Sequence, residues 1–514
     1  MFNNNNLSFA VTVLLCLVAA YPGFYPKATL PGAPLLRALA AAASSPRPGL
    51  TIALGTNVCV DLVVPAADVL PALPPPTAAA PPGDRAFLAT PADAAAAFAH
   101  HAAAGAAGER SSAPAVMAAL LAPAQASPRA RHILGGNAAL MAQKLARLGA
   151  RVILGGRVGP KAAQLLAAGV APAGALAAAD DVHLILEYAA GEALLPGLPP
   201  APRANRFIVT SGVPGEGPAA LQEALARAAS GGAHALVLSG LHALENLPPL
   251  ARNQTLAAIA AALAARAPRA LPVHVELASV ASGEYLRQVV EVVLAPHASS
   301  LGFNEGEAAG LYEALGGGYG GRGQPKERGE LTAMVPRVAA VGAALRHAFR
   351  ALPRLSRAHF HSLAHHIVVH RVGGSGGGGG GVGGAGFPWS GNPAGAAAAG
   401  ALACAEQACD TTAAAAGEGQ FYSLCPTKVG VGDPEAGSGV SAVRRLTLQA
   451  PAAEWRWPLH NETSSSGSGS SGGAGAQELH FAAVPVPVCA KPTRTVGLGD
   501  AVSAAALGAD IAVA

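Results

Sequence analysis

Charge is scarce in this chain. Asp, Glu, Lys and Arg make up 12% of its 514 residues, and the formal net charge is only +4. No stretch gathers Lys or Arg densely enough for a nucleic-acid face, so nucleic acid is excluded as a partner. Cysteine is sparse too. The six are Cys16, Cys59, Cys404, Cys409, Cys425 and Cys489, and their spacing is not that of a zinc site. In a secretory compartment Cys404, Cys409 and Cys425 can form a local disulfide, whose pairing the spacing leaves open. Internal repeats are absent. Beyond the N-terminus no apolar run reads as a membrane helix. What abounds is alanine and glycine, which lengthen the chain while adding little core. The length suits two or three ordinary domains, or one large α/β domain with a lid.

The N-terminus carries an apolar run from Leu7 to Ala20. It is short for a membrane span and right for a signal-peptide core. Val18, Ala19 and Ala20 before Tyr21 make a cleavage site, while the lack of Lys or Arg upstream keeps an uncleaved anchor as the alternative. Residues 1–20 are therefore expected to be a signal peptide or signal anchor. Residues 21–49, rich in Ala and Pro, are expected to be a linker. The expected compartment is the secretory pathway, where Asn253 and Asn461 would be glycan acceptors.

Near the C-terminus stands Gly497-Leu-Gly-Asp500, followed by helix formers. Two glycines let the backbone turn and approach a ligand closely. Asp500 falls where a helix begins, beside unpaired N–H groups that bind anions. A carboxylate next to an anion cradle suits a base that takes a hydroxyl proton during phosphoryl transfer. Alone, the motif reads more readily as a turn with an Asp cap.

Upstream, the chain has the rhythm of a parallel α/β sheet. A buried-type strand from Leu50 carries Asn57 and Asp61 at its end. Gly135 and Gly136 turn into a helix that Asn137 can cap. Asp181, His183 and Ile185 alternate on one strand face, and a strand with Arg206 follows; this pair suits a lid. Glu276 ends another strand, and Glu307 follows the next one. Both therefore fall at the carboxyl edge where such sheets bind ligands, and they can hold Mg²⁺ through waters. His359 and His361 share a strand face and receive no catalytic role. Gly-rich 373–386 and Ser/Gly-rich 464–475 read as flexible insertions.

In order along residues 50–505, ten phrases resemble the ADP-dependent glucokinases, a branch of the ribokinase-like sugar kinases, in their animal, endoplasmic-reticulum form. They are Asn57-Val-Cys-Val-Asp61, Gly135-Gly-Asn-Ala-Ala-Leu140, Val158-Gly-Pro-Lys161, His183-Leu-Ile-Leu-Glu-Tyr188, Ala204-Asn-Arg-Phe-Ile208, Leu238-Ser-Gly-Leu-His242, His274-Val-Glu-Leu-Ala-Ser279, Ser300-Leu-Gly-Phe-Asn-Glu-Gly-Glu307, His359-Phe-His361 and Thr495-Val-Gly-Leu-Gly-Asp-Ala-Val-Ser-Ala504. The resemblance implies a three-layer α/β/α sandwich over 50–514 with a smaller α/β lid, roughly 62–132 and 181–212. It implies a monomer that converts ADP and D-glucose to AMP and glucose 6-phosphate with Mg²⁺. Asp500 would be the base, with Gly497 and Gly499 in the anion hole. Asp61, Glu109, Gly136, Asn137 and His183 would contact the sugar, and Arg206 the nucleotide phosphates. Glu276, Glu307 and Asp500 would share the magnesium shell. The competing readings are an ATP-dependent sugar or nucleoside kinase of the same superfamily and a non-catalytic lumenal sugar-binding protein.

Overall fold

The first fourteen strands along the chain are β1 (Thr51–Thr56), β2 (Cys59–Pro65), β3 (Phe87–Leu88), β4 (Gly108–Ser112), β5 (Arg131–Gly135), β6 (Arg151–Leu154), β7 (Val170–Pro172), β8 (Val182–Tyr188), β9 (Asn205–Thr210), β10 (Ala235–Ser239), β11 (Val273–Glu276), β12 (Ser300–Phe303), β13 (Arg357–His361) and β14 (His365–Val372). They come from a computed structural model that describes residues 29–75, 83–85, 87–195, 199–202, 204–211, 217–266, 271–278, 280, 282–321, 323–373, 388–435, 442–459, 477–492 and 497–512. The insertion expected at 464–475, all but Gly373 of that at 373–386, and the expected signal segment 1–20 lie outside the described residues.

A ten-stranded sheet runs in the order Ala453–Pro458, Glu478–Pro485, β14, β13, β12, β11, β10, β1, β6, β7. From β13 to β7 every pairing is parallel. Parallel strands covered on both faces must be apolar throughout. Accordingly all five residues of β10 are buried, and so are the first five of β1. Helices cover both faces. One layer holds Gly217–Ser230, Pro249–Ala264, Glu305–Ala314 and Val338–Ala351 over the largest apolar cluster. The other holds Asn137–Arg147, Pro393–Cys409 and Leu498–Asp510. This is the three-layer α/β/α sandwich that the resemblance led us to expect.

Alanine behaves differently from expectation. Ala396, Ala397, Ala398, Ala401 and Ala405 on one helix, and Ala504 and Ala506 on the next, are fully buried. Short side chains let these helices approach each other and the sheet closely. A Cβ on Gly400 would sit 3.0 Å from His366 Nδ1 and 3.3 Å from Ala506 Cβ. The alanines are thus core rather than padding.

The stretch expected to be a linker contains a helix, Gly32–Ala42. Leu35, Leu36 and Leu39 share one face and are completely buried. Each contributes about 1.5–3 kcal/mol of apolar burial, enough to dock a short helix. The disulfide is also a correction. Cys409 pairs with Cys489, 80 residues away, while Cys404 and Cys425 are buried free thiols.

A second sheet of six strands has the order β3-β4-β9-β8-β2-β5. Its core centres on Phe98, packed edge-on against Tyr188 and Phe207 at 5.7 and 5.9 Å. The chain passes from the large sheet to this one between β1 and β2, through Asn57. It returns between β5 and Asn137. The two crossings touch: Ala139 N donates to Asn57 O at 3.3 Å. Among the described residues no helix is long and apolar enough to cross a membrane.

Candidate active site

Asp500 is the third residue of the terminal helix Leu498–Asp510, and Gly497 is its cap. Gly497 has φ +67°, a left-handed conformation that glycine adopts without strain. A Cβ there would also meet Leu140 Cδ1 at 2.6 Å. The Asp500 side chain sits in the first turn of this helix, behind the Gly497 cap. It lies buried, 7% exposed, and its Oδ1 accepts from Asn137 Nδ2 at 2.9 Å. Burial pushes its carboxyl up to about 7; the Asn137 bond pulls down and the Glu276 charge pulls up. Residues 493–496, just before, lie outside the described residues.

Asn137 was expected to cap its helix. Gly136 is the cap instead, with φ +84°, and a Cβ there would press on Asn57 O at 2.5 Å. The Asn137 side chain is thereby free to bond Asp500 on one side and Asn57 on the other, where Nδ2 donates to Asn137 Oδ1 at 3.4 Å.

Beside Asp500 is a carboxylate–imidazole cluster. Glu276 ends β11 and is 3% exposed. Ser503 Oγ donates to its Oε1 at 2.8 Å, His361 Nε2 stands 3.3 Å from the same oxygen, and His274 Nε2 stands 3.2 Å from Oε2. Burial alone would raise its pKa, but these partners overcome it and hold Glu276 down to about 2. Gly302 on β12 makes the reach possible, because a Cβ there would overlap the Glu276 carboxylate. Glu307 closes a capping box with Asn304, accepting from its N and Nδ2 at 2.9 Å each. Burial lifts Glu307 to about 8. His361, set aside in the sequence, is central here. Burial lowers its pKa, but Glu276, Glu307 and Glu305 more than compensate and raise it. A Cβ on Gly499 would lie 3.5 Å from His361 Cε1, so this ring borders the Gly-x-Gly-Asp turn.

The other expected residues belong to the second sheet. Asp61 on β2 is the direct cross-strand partner of His183 on β8. Asp61 is buried, and burial raises its pKa against the pull of His183. His183 is raised as well: burial opposes, but Asp181, Asp61 and Glu109 win. Glu109 lies on β4 and is exposed, within electrostatic range of both. Arg206 on β9 acts on Asp61, and its buried Nε has no hydrogen-bond partner among the described residues. His242, just after β10 in the large sheet, feels Glu109 and His183 after burial as the main cause of its lowered pKa. It therefore lies within electrostatic range of the second sheet, a proximity the sequence did not suggest.

The expected residues thus form two groups. Asp500, Gly497, Gly499, Glu276, Glu307 and Asn137 gather at the carboxyl edge of the large sheet. Asp61, His183, Glu109 and Arg206 gather on the second, with Gly136 at the crossing. The three carboxylates expected to share a cation are not a compact chelate. Among the described residues, the group of three such side chains with all ligand atoms within 4.8 Å of one another is Cys59, Asp61 and His183.

This arrangement has counterparts. The conserved region of ADP-specific phosphofructokinase/glucokinase matches residues 50–509. An ADP-dependent glucokinase from Bos taurus is 33% identical over 390 residues, covering 74% of this chain and 68% of that protein. A probable ADP-dependent glucokinase from Caenorhabditis elegans is 30% identical over 478 residues, covering 88% and 84%. Among solved structures, a phosphofructokinase from Pyrococcus horikoshii OT3 with AMP superposes with a TM-score of 0.58 at 16% identity, over 90% of this chain and 98% of that one. An ADP-dependent kinase complexed with fructose-6-phosphate and ADPβS gives 0.55 at 18% identity, over 93% and 96%. At those identities the two structures speak for the fold.

Proposed function

The chain belongs to the ADP-specific phosphofructokinase/glucokinase family, and from that membership we propose that it phosphorylates D-glucose with ADP, releasing AMP and glucose 6-phosphate. It is an ADP-dependent sugar kinase. The two relatives named above, both carrying the glucokinase name, support glucose as the acceptor.

The observation that carries the reading is Asp500, a buried carboxyl at about 7, at the mouth of a helix and next to a glycine turn. A base near the working pH is well matched to take the proton of a sugar hydroxyl. The orphan N–H groups of the first helical turn would hold the charge on the transferred phosphoryl group. Arg206, whose buried Nε has no partner among the described residues, suits the nucleotide phosphates. Asp61, Glu109, Gly136, Asn137 and His183 would fix the sugar, since leaving a buried polar group unpaired costs roughly 1–3 kcal/mol. Closing the second sheet over the sugar would exclude water and limit hydrolysis.

Mg²⁺ fits the donor set. Glu276, Glu307 and Asp500 offer only oxygen ligands, and their lack of a tight chelate suits a cation that keeps part of its water shell. When bound, it would neutralise charge on the phosphates. A lumenal location belongs to the same reading, and the Cys409–Cys489 disulfide supports an oxidising compartment.

A coupled glucose 6-phosphate assay with ADP and, separately, with ATP tests the reading. Turnover with ADP is expected. Activity with ATP alone would replace it by an ATP-dependent kinase of the same fold. Sugar binding without turnover on either nucleotide would leave a binding protein.

A further inference from the structure

Three ligand-bearing side chains meet on the second sheet. Cys59 and Asp61 lie two residues apart on β2, and His183 is the β8 partner of Asp61. Cys59 Sγ stands 3.4 Å from Asp61 Oδ1 and 3.5 Å from His183 Nδ1, and that Nδ1 is 4.0 Å from Asp61 Oδ1. The kinase reading uses Asp61 and His183 for the sugar and gives the thiol nothing to do.

These separations suit a metal. Zinc binds sulfur at about 2.3 Å and nitrogen or oxygen at about 2.0 Å in a tetrahedron, which sets ligand atoms roughly 3.3–3.6 Å apart. Two of the three edges already match, and a small turn of the His183 ring closes the third. A thiolate, an imidazole and a carboxylate together favour a borderline-soft ion over magnesium. The outer shell is also built. Asp181 Oδ2 stands 3.7 Å from His183 Nε2, and Ser211 Oγ donates to Asp181 Oδ1 at 3.1 Å. A carboxylate behind the far ring nitrogen is how metal-binding histidines are oriented. Gly135, opposite on β5, gives the Asp61 carboxylate its room, since a Cβ there would overlap it. The His183 and Asp61 side chains are 18% and 9% exposed, which leaves an entry path.

We propose that Cys59, Asp61 and His183 form a binding site for a soft divalent cation of the Zn²⁺ type, with a fourth position open to solvent or ligand. On binding, the Cys59 thiol loses its proton to solvent, and Sγ, Nδ1 and a carboxylate oxygen donate to the ion. Binding is independent of the proposed function. One consequence rests on that function: Asp61 and His183 cannot serve sugar and zinc together, so zinc inhibits competitively with the sugar.

Co²⁺ is the probe. Titrated into the full chain, it should give one equivalent of thiolate-to-cobalt charge-transfer absorption that Zn²⁺ displaces. Cobalt on Glu276, Glu307 or Asp500 touches no sulfur and gives no such band. Cys59→Ala and Cys59→Ser should both lose the band while melting as the wild type does. Asp181→Asn should keep it with affinity roughly ten- to hundredfold weaker. No band in the wild type, or a band surviving both Cys59 variants, overturns the site. In the kinase assay Zn²⁺ should raise the sugar KM, and Cys59→Ala should need at least about tenfold more zinc for the same effect. A Cys59-dependent band without inhibition upholds the site and instead removes Asp61 and His183 from sugar binding.

Discussion

Asn137 Nδ2 donates to Asp500 Oδ1 at 2.9 Å, joining residues 363 positions apart. The bond favours the ionised carboxylate and so opposes the burial that raises its pKa. Asn137→Ala removes it. A hydrogen bond to a charged group is worth roughly 1.5–3 kcal/mol, or about one to two pH units. The acid limb of the kcat/KM profile, which reports the free enzyme's base, is expected to move up by about that much.

Asp500→Asn separates function from stability. Turnover should fall by at least about 10²–10⁴-fold, with sugar binding still measurable by calorimetry. Because the folded pKa, about 7, lies above the ordinary value of 3.8, the native state holds this proton more tightly than the unfolded chain. Its contribution to stability is therefore present at low pH and lost as pH rises toward 7. The variant is expected to resist urea at pH 8 as well as the wild type or better. A marked loss of stability there would contradict the burial argument.

At the other end of the same helix, Asp510 is pinned by Arg357 Nε at 2.5 Å, His370 Nε2 at 2.8 Å and Ser390 Oγ at 2.8 Å. Burial would raise its pKa, but the His370 and Arg357 charges hold it down to about 2. Here the sign reverses: the stabilisation is present above pH 4 and lost as pH falls toward 2. Asp510→Asn leaves the Arg357 charge buried and unpaired, at about 3–5 kcal/mol. Urea unfolding at pH 7 should register that loss, and the variant's stability should vary less between pH 4 and 2.

Gly302→Ala tests the glycine beneath the Glu276 carboxylate. The added methyl should destabilise by about 1–3 kcal/mol and lower kcat by displacing Glu276. Gly306→Ala is the control, since its Cβ would meet only Asn304 Oδ1 at 3.5 Å. It should stay within about 0.5 kcal/mol of the wild type.

Reduction of Cys409–Cys489 frees a long loop. The expected loss is about 2–5 kcal/mol, read as a lower melting temperature in reductant. Cys489→Ala should reproduce it and make the protein insensitive to reductant.

Much of the site was legible because its signals are local. A strand ending in Glu276, a Gly-Gly-Asn turn into a helix, and Gly-x-Gly-Asp each declare themselves within a few residues. What escaped depends on neighbours distant in sequence. Alternation puts His361 on a face, but only the order β11-β12-β13, with a glycine in the middle strand, brings it to Glu276. Asn137 looked like a cap because nothing nearby announces that Gly136 takes that role and Asp500 waits beyond. The helix Gly32–Ala42 was hidden by its Ala/Pro setting, although Leu35, Leu36 and Leu39 carry the spacing of a buried face. Cys489 could not be matched to Cys409 by proximity, with 80 residues between them.

The paired crossing at Asn57 and Asn137 divides the labour of the site. Asn137 is the first residue of a helix that packs on the terminal helix, so Asp500 and its donor ride on one body. Asp61, His183 and Arg206 ride on the other. On the proposed reading, a swing of the second sheet about that crossing would change the distance from base to sugar while leaving the basicity of Asp500 alone. The moment at which the reacting atoms meet would then be set separately from the group proposed to receive the proton.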